Sequence, residues 1–165
     1  MPEKVESAVV NTGPLLALGL CDQVELLHRL FGRVLTSEVV IAELGRVSAQ
    51  GRAPAVPGLP PAWLEVVALE RPPDAFLQAY LDDGEAAVIA LAQQLGISRV
   101  IIDERRGRLA ARTMGLAVTG SLGILLRAKR LGFLEAVKPC LDEMQSHGVW
   151  LDSQLIRLVL REAGE

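Results

Sequence analysis

The chain has 165 residues, of which 50% are apolar and 22% are charged, and its net charge is −3. This length suits one domain with a sizeable core and excludes two full-sized ones, so we expect residues 1–165 to form a single domain. The negative net charge argues against a generally basic nucleic-acid binder. No apolar run reaches membrane-spanning length and the N-terminus lacks a signal peptide, which predicts a soluble, cytoplasmic protein. Cys21 and Cys140 have no ligand-like neighbours in the sequence, so we expect buried or inert thiols.

The first part of the chain alternates apolar strands with helices. Strands are predicted over Val5–Val10 and Val34–Leu35. Between them, Asp22 followed by Glu25 predicts a capping box that opens a helix. Ser37 is a predicted N-cap of the next helix.

The second part continues the alternation after a loop over residues 50–61, which contains four prolines. The predicted strands are Trp63–Leu69, Ser98–Ile102 and Ala117–Val118, and the predicted helices are Asp74–Tyr80, Gly84–Leu95, Arg105–Met114 and Ser121–Leu131. A helical tail over about residues 134–165 should contain two helices broken near Gly148. Continuous apolar strands joined by helices indicate an α/β fold with a parallel sheet covered on both faces.

One helix has an acidic first turn and an apolar body. Asp82, Asp83 and Glu85 precede seven apolar residues, 86–92, and a helix without a polar face is normally buried. Its acidic end should therefore lie at the rim of the core. The same acids also suit helix capping and the helix dipole, and this alternative explains Asp82 and Asp83 better than Glu85.

Oxygen-bearing side chains follow several predicted strands or lie on the helices after them. Ligands of parallel α/β proteins bind beyond the carboxyl ends of the strands, and Mg²⁺ and Mn²⁺ prefer oxygen ligands. The candidate metal ligands are Asn11, Glu43, Glu85, Asp103 and Glu104. Each also has a simpler explanation as a helix cap, a turn residue or a solvated acid.

Basic residues concentrate in one segment. Residues 99–130 contain eight basic and two acidic side chains, a local charge of +6, which favours a local anionic partner. The candidate nucleic-acid contacts are Arg105, Arg106, Arg108, Arg112, Thr119 and Ser121. For the last two, the strand-to-helix turn at Gly120 would offer backbone N–H groups to a phosphate. Solvated helix faces and a simple tight turn are the alternatives.

Five blocks of the sequence carry a resemblance to a known family. They are residues 9–16 (VVNTGPLL), 39–44 (VVIAEL), 81–92 (LDDGEAAVIALA), 101–108 (IIDERRGR) and 115–125 (GLAVTGSLGIL). In order and spacing they resemble the PIN-domain superfamily, and most of all a divergent PIN-like branch of prokaryotic proteins predicted to bind nucleic acids.

The resemblance implies a Rossmann-like three-layer α/β/α sandwich and a metal-dependent ribonuclease-type site, often in the toxin of a toxin–antitoxin pair. By position, Glu43 matches the second family acid, Glu85 the third, and Asp103 or Glu104 the fourth. The first family acid is normally Asp at the end of strand one, and here it is Asn11. An amide oxygen can bind a metal, but it brings no charge.

Three functions follow from these features. The first is an endoribonuclease that uses Mg²⁺ or Mn²⁺, with Glu43, Glu85 and Asp103 as catalytic residues and RNA as substrate. The second is a catalytically silent PIN-like module that binds a nucleic acid or a protein, which Asn11 favours. The third is a nucleotide-binding protein that uses the Gly120–Gly123 turn. A small antitoxin protein and a second copy of the chain are further candidate partners.

Overall fold

The structure is a computed structural model that describes residues 5–51 and 56–165. Its strands are β1 (Ser7–Val10), β2 (Arg33–Ser37), β3 (Glu65–Val67), β4 (Arg99–Ile101) and β5 (Ala117–Thr119). They form one parallel sheet in the order β3-β2-β1-β4-β5. In the register, Val9 of β1 pairs with Leu35 on one side and with Val100 on the other. Strand β1 therefore lies at the centre, and its end is flanked by the ends of β2 and β4.

Helices cover both faces of this sheet. They are α1 (Thr12–Leu20), α2 (Glu25–Phe31), α3 (Glu38–Ala49), α4 (Ala75–Tyr80), α5 (Asp83–Leu95), α6 (Arg105–Thr113), α7 (Ser121–Arg130), α8 (Lys138–Ser146) and α9 (Ser153–Ala163). Helices α3, α4 and α6 contact α5, while α1, α2 and α9 contact α7, and α8 contacts α1. The predicted three-layer α/β/α sandwich is confirmed.

Helix α5 is the central helix of the core, as its sequence predicted. All residues from Gly84 to Ala92 are buried, and the helix contacts β1, β2 and β4. It ends at Gly96, which adopts the left-handed conformation that glycine tolerates best. Because the body of α5 is fixed by packing on all sides, its acidic first turn is held rigidly at the carboxyl edge of the sheet.

Two local predictions are wrong. Helix α2 begins at Glu25 with Val24 as its N-cap and no side-chain capping bond, so Asp22 does not open it. Instead Asp22 has a positive φ of 57° and forms the turn after α1, a conformation that Asp tolerates better than most residues. Strand β3 has only three of the seven residues predicted over Trp63–Leu69. It is an edge strand that pairs only with β2 among the described strands, so no second neighbour extends its ladder.

Parts of the predicted loop over residues 50–61 lie outside the described residues, namely 52–55. Within the described ranges, no helix combines the length and the apolar character that crossing a membrane requires.

Candidate active site

Three strand exits meet at the candidate site. Asn11 directly follows β1, Ser37 is the last residue of β2, and Asp103 lies two residues after β4. The backbone N–H of Asn11 donates to the carbonyl oxygen of Ile101 at 3.0 Å and ties the β1 exit to β4. Because all strands are parallel, these exits lie at the carboxyl edge of the sheet, where α/β proteins bind their ligands.

Glu43 reaches this edge from the second turn of α3. The side chain of Ser37 accepts a hydrogen bond from the N–H of Val39 at 3.1 Å and caps α3, as predicted. The hydroxyl of Thr12, the first residue of α1, donates to Oε2 of Glu43 at 3.1 Å. The contact between α1 and α3 thus fixes the direction of the Glu43 carboxylate.

Asn11 and Glu43 meet at Gly84. The side chain of Asn11 is buried, and its Oδ1 is the one buried side-chain polar atom among the described residues without a hydrogen-bond partner. A Cβ at position 84 would lie 3.2 Å from Oδ1 of Asn11 and would collide with Oε2 of Glu43. Two acceptor oxygens therefore face the same glycine with no donor to satisfy Oδ1. Such an arrangement favours a proton or a cation between them, because an unpaired buried acceptor costs about 1–3 kcal/mol.

Glu85 lies one residue further into α5 and is 4% exposed. Oδ1 of Asp82 accepts from the N–H of Glu85 at 2.8 Å, and Oε2 of Glu85 accepts from the N–H of Asp82 at 3.4 Å. This reciprocal pair is a capping box, so the predicted capping role of Asp82 is confirmed. Gly107 of α6 covers the carboxylate: a Cβ there would lie 3.1 Å from Oε1 of Glu85. The capping box and the glycine together hold Glu85 at the rim of the core.

Burial and neighbouring negative charge act on both glutamates. Burial raises the pKa of Glu85 to about 7, with further increases from the charges of Asp82, Glu104 and Glu43. Burial, followed by the charge of Asp82, also raises the pKa of Glu43, while the bond from Thr12 opposes this shift. A raised carboxyl pKa means that the site gains free energy by taking up positive charge.

Asp103 and Glu104 have different surroundings. The two carboxylate oxygens of Asp103 accept from the backbone N–H and the hydroxyl of Ser121, at 2.7 and 2.6 Å. Asp103 therefore serves the N-terminus of α7. Glu104 occupies the N-cap position of α6 without a side-chain capping bond, is exposed, and acts electrostatically on Glu85. Asp103 and Glu104 were the alternatives for the fourth family acid. Asp103 binds Ser121, whereas Glu104 influences Glu85 through its charge.

The predicted nucleic-acid contacts divide into free and engaged side chains. Arg105 and Arg112 of α6 are exposed, and Arg106 stacks over the ring of Tyr80 at 4.6 Å. Arg108 donates to the carbonyl oxygen of Ile102 at 3.0 Å, and burial lowers its pKa. The side chain of Arg108 therefore supports the exit of β4.

Thr119 and Ser121 are both engaged inside the protein. The hydroxyl of Thr119 accepts from Nη1 of Arg99 at 2.7 Å, and Ser121 gives its N–H and hydroxyl to Asp103. The anion at the N-terminus of α7 is therefore the carboxylate of Asp103.

An apolar groove of about 990 Å³ opens beside Asp103. Its walls come from α1, α7 and α9 together with the segment before α9, and Asp103, Glu104 and Arg108 also line it. Trp150 lines the groove with 83% of its surface exposed. An exposed apolar surface of this kind is typical of a binding site.

The structure thus brings Asn11 and Glu43 together at Gly84, next to Glu85, and holds Asp103 on Ser121. Over residues 5–51 and 56–165, no three His, Cys, Asp or Glu side chains lie close enough together to hold a metal ion.

Sequence reasoning missed Thr12, Gly84 and Gly107. A glycine inside a helix costs up to about 1 kcal/mol relative to alanine, so the glycines in α5 and α6 were a signal of close approach. A methyl group at Gly84 would crowd the carboxylate of Glu43, and one at Gly107 would crowd that of Glu85. Thr12 gave no such signal, because its bond to Glu43 joins separate helices.

The fold and this edge define a class: a parallel α/β/α sandwich with carboxylate and amide side chains at the ends of its central strands. A family model described as DUF3368, PIN domain, matches residues 7–165. The chain therefore belongs to the PIN-domain family, as its sequence blocks indicated. The family has a nuclease-like fold and generally uses divalent metals. No curated protein and no solved structure matches the chain.

Proposed function

We propose that the chain is a metal-dependent endoribonuclease of the PIN type that uses Mg²⁺ or Mn²⁺. The observation that carries the proposal is the meeting of Oδ1 of Asn11 and Oε2 of Glu43 at Gly84, where the buried amide oxygen has no hydrogen-bond partner among the described residues. A hard divalent cation satisfies both oxygens at once.

The candidate donors are all oxygen atoms, which suits such a cation, and two of them, from Asn11 and Glu43, already face one point at Gly84. Asn11 and Glu43 would hold the ion, and Glu85, Asp103 and Glu104 are the further oxygen donors that we assign to this edge. When bound, the ion would polarise a phosphate and lower the pKa of a coordinated water. The raised pKa values of Glu43 and Glu85 support the assignment, since a cation offsets the same negative charge that protonation would remove.

The residues of the chain prepare this site before any ligand binds. Thr12 directs the carboxylate of Glu43, and the capping box with Asp82 directs Glu85. Both carboxylates are therefore held by hydrogen bonds on rigid helices, which reduces the reorganisation needed on binding. We assign Glu43, Glu85 and Asp103 as the catalytic acids.

RNA is the substrate class that we infer from the basic residues beside these acids. Helix α6 begins directly after Asp103 and Glu104, and its exposed Arg105 and Arg112 can donate to phosphate oxygens. Arg106 offers a further guanidinium over Tyr80. A phosphate held by Arg105, the first residue of α6, would lie next to the acidic edge.

Partners and organisation are further parts of the proposal. A toxin role would add a small antitoxin protein, and the groove beside Asp103 with Trp150 is an apolar surface suited to that protein or to a second copy of the chain. We also propose that residues 1–165 form one domain, because α8 contacts α1 and α9 contacts α7.

Titration calorimetry with Mn²⁺ tests the metal assignment. We expect saturable binding by the parent protein and by Glu135→Gln, an exposed acid used as the matched control, and at least about tenfold weaker binding by Glu43→Gln. Metal-dependent cleavage of an RNA pool should be seen with the parent and lost in Glu85→Gln. A parent that cleaves no RNA with either metal, and that behaves like Glu85→Gln, would overturn the proposal.

A catalytically silent binding module is the second candidate, and the neutral Asn11 favours it. The absence of three clustered acids among the described residues points the same way. Asn11→Asp separates the two functions, since it restores the charge that the family normally carries there. Mn²⁺ binding and RNA cleavage that occur only in Asn11→Asp would establish the silent module.

The nucleotide-binding alternative at the Gly120–Gly123 turn is disfavoured. The carboxylate of Asp103 already accepts from the N–H and the hydroxyl of Ser121. A phosphate at this turn would meet that negative charge and would have to displace it.

A further inference from the structure

Cys21 and Cys140 are far apart in the sequence but line the same cavity in the folded protein. Cys21 is the C-cap of α1, and Cys140 lies in the first turn of α8, which contacts α1. Both cysteines are free thiols that line one cavity; Cys140 is buried and Cys21 is partly buried. The expected burial is therefore confirmed for Cys140, whereas the common cavity of the two cysteines was not predicted.

The two thiols are not equivalent. Sγ of Cys21 donates to the carbonyl oxygens of Leu18 at 3.5 Å and Ala17 at 3.7 Å. The neighbouring Cys140 thiol, and then burial, raise the pKa of Cys21. The neighbouring Cys21 lowers the pKa of Cys140, against the opposing effect of burial. The position of Cys140 in the first turn of a helix favours a thiolate for an independent reason, the helix dipole. Cys140 is therefore the nucleophile of the pair.

A cavity gives reagents access to these sulfur atoms. It has a volume of about 400 Å³ and is lined by Cys21 and Cys140 together with Phe133, Pro139 and Glu143. Cys140 itself is only 4% exposed, so this cavity is its route to a small reactant.

We propose that Cys21 and Cys140 form a reversible disulfide that links α1 to α8, with a low-molecular-weight disulfide such as oxidised glutathione as the oxidant. The Cys140 thiolate attacks one glutathione sulfur, which breaks the glutathione disulfide and releases one glutathione thiolate. Cys21 then loses its proton to solvent and attacks Sγ of Cys140, which releases the second glutathione. Two protein thiols are oxidised, and one disulfide is reduced to two thiols.

The disulfide should raise the stability of the protein and leave the geometry of the acidic edge unchanged. Asn11 and Cys21 flank opposite ends of α1, whose nine residues span about 14 Å. A disulfide between residues 21 and 140 closes a long loop and fastens the C-terminal helices to α1. Such a cross-link raises the Tm by about 5–10 °C in a chain of this size.

Peptide mapping after oxidation tests the proposal on the native parent protein. After incubation with excess oxidised glutathione, we expect a linked peptide that contains Cys21 and Cys140, a mass lower by two hydrogen atoms, and a higher Tm. Dithiothreitol should reverse all three changes. The proposal is overturned by stable glutathione adducts without a linked peptide, by two thiols that stay reduced, or by a linked peptide that forms only in denaturant.

Two serine variants test the order of the steps. Cys21→Ser should accumulate a stable glutathione adduct at Cys140, because no second thiol resolves it. Cys140→Ser should react at least about tenfold more slowly, since Cys21 is the weaker nucleophile. Equal rates in the two variants would contradict the assignment of the nucleophile, and the mapping of the parent decides the disulfide whether or not the variants fold.

Discussion

The carboxylate of Glu43 occupies the space in which a side chain at position 84 would begin. Gly84 lies in the first turn of α5, and a Cβ built there collides with Oε2 of Glu43 and lies 3.2 Å from Oδ1 of Asn11. The missing side chain of Gly84 is thus what allows α3 and the end of β1 to present their oxygens at one place. This relationship connects the packing of α5 with the proposed cation site.

Gly84→Ala should weaken Mn²⁺ binding about tenfold without unfolding the protein. The added methyl group meets the flexible end of Glu43, so the carboxylate moves while the backbone stays in place. Alanine also favours the helix by up to about 1 kcal/mol, which offsets part of the crowding. Calorimetric titration with Mn²⁺ and thermal unfolding measure the two effects separately.

Gly45→Ala is the matched control for this substitution. Gly45 lies inside α3, is exposed, and has no atom near the position of its Cβ. It should raise the stability by up to about 1 kcal/mol and leave Mn²⁺ binding unchanged. Equal Mn²⁺ affinities in Gly84→Ala and Gly45→Ala would show that Gly84 does not contribute to the cation site.

Thr12→Val should weaken Mn²⁺ binding several-fold and destabilise the protein slightly. Burial raises the pKa of Glu43 and the bond from Thr12 lowers it, so removal of the hydroxyl raises that pKa further. A lost hydrogen bond of this kind costs about 1 kcal/mol, which lowers the Tm by about 2–4 °C.

Thr12→Ser keeps the hydroxyl and should retain the Mn²⁺ affinity of the parent. If Thr12→Ser is as weak as Thr12→Val, the methyl group of Thr12 matters and its hydrogen bond does not.

The elements of the fold could be predicted from local pattern, whereas the site geometry could not. The seven apolar residues after Glu85 predicted the buried helix α5, because a helix without a polar face needs burial whatever surrounds it. The contact of Glu43 with Gly84 depends on how α3 packs against α5. No periodicity along the chain encodes that crossing.

The directions of the two acids after β4 also depend on tertiary packing, which local sequence pattern does not encode. The sequence placed Asp103 and Glu104 at the end of a strand, and both lie there. Which acid turns toward α7 is decided by the N–H and the hydroxyl of Ser121, which the parallel pairing of β4 with β5 brings alongside. The sequence showed the turn at Gly120 and its free N–H groups, but it did not show that Asp103 accepts from Ser121 there.

Arg105→Gln combined with Arg112→Gln should weaken the binding of single-stranded RNA and leave Mn²⁺ binding unchanged. Both arginines are exposed on α6: Arg105 begins the helix next to the acidic edge, and Arg112 lies in its last turn. Each lost phosphate contact should reduce the slope of log K against log salt concentration by about 0.7. Fluorescence anisotropy with labelled RNA at several salt concentrations measures this slope.

Arg161→Gln is the control for general electrostatics, because Arg161 is exposed on α9. A decrease in RNA affinity of the same size in this control would show that RNA binding depends only on the overall charge of the protein.

Glu165→Gln should destabilise the protein at neutral pH and lose this effect in acid. The carboxylate of Glu165 accepts from Nζ of Lys129 at 2.8 Å and from the N–H groups of Val137 and Lys138 at 2.7 and 3.1 Å. Burial opposes the charged form, but these bonds outweigh it and lower the pKa of Glu165 from 4.5 to about 2. Because the folded pKa is the lower one, the stabilisation is complete above pH 4.5 and is lost as the pH falls toward 2.

Thermal unfolding of the parent and of Glu165→Gln between about pH 7 and pH 3 measures this dependence. The difference in Tm should be constant near neutral pH and should shrink below about pH 4.5 as the parent carboxylate is protonated. Glu162→Gln is the control, since its contact with Arg130 is longer, at 3.6 Å, and exposed. Surface pairs of that kind contribute between 0 and about 1 kcal/mol, so this variant should follow the parent at every pH. A Tm difference for Glu165→Gln that does not change with pH would mean that the amide loses packing or geometry rather than the charged hydrogen bonds that join α7, α8 and the end of α9.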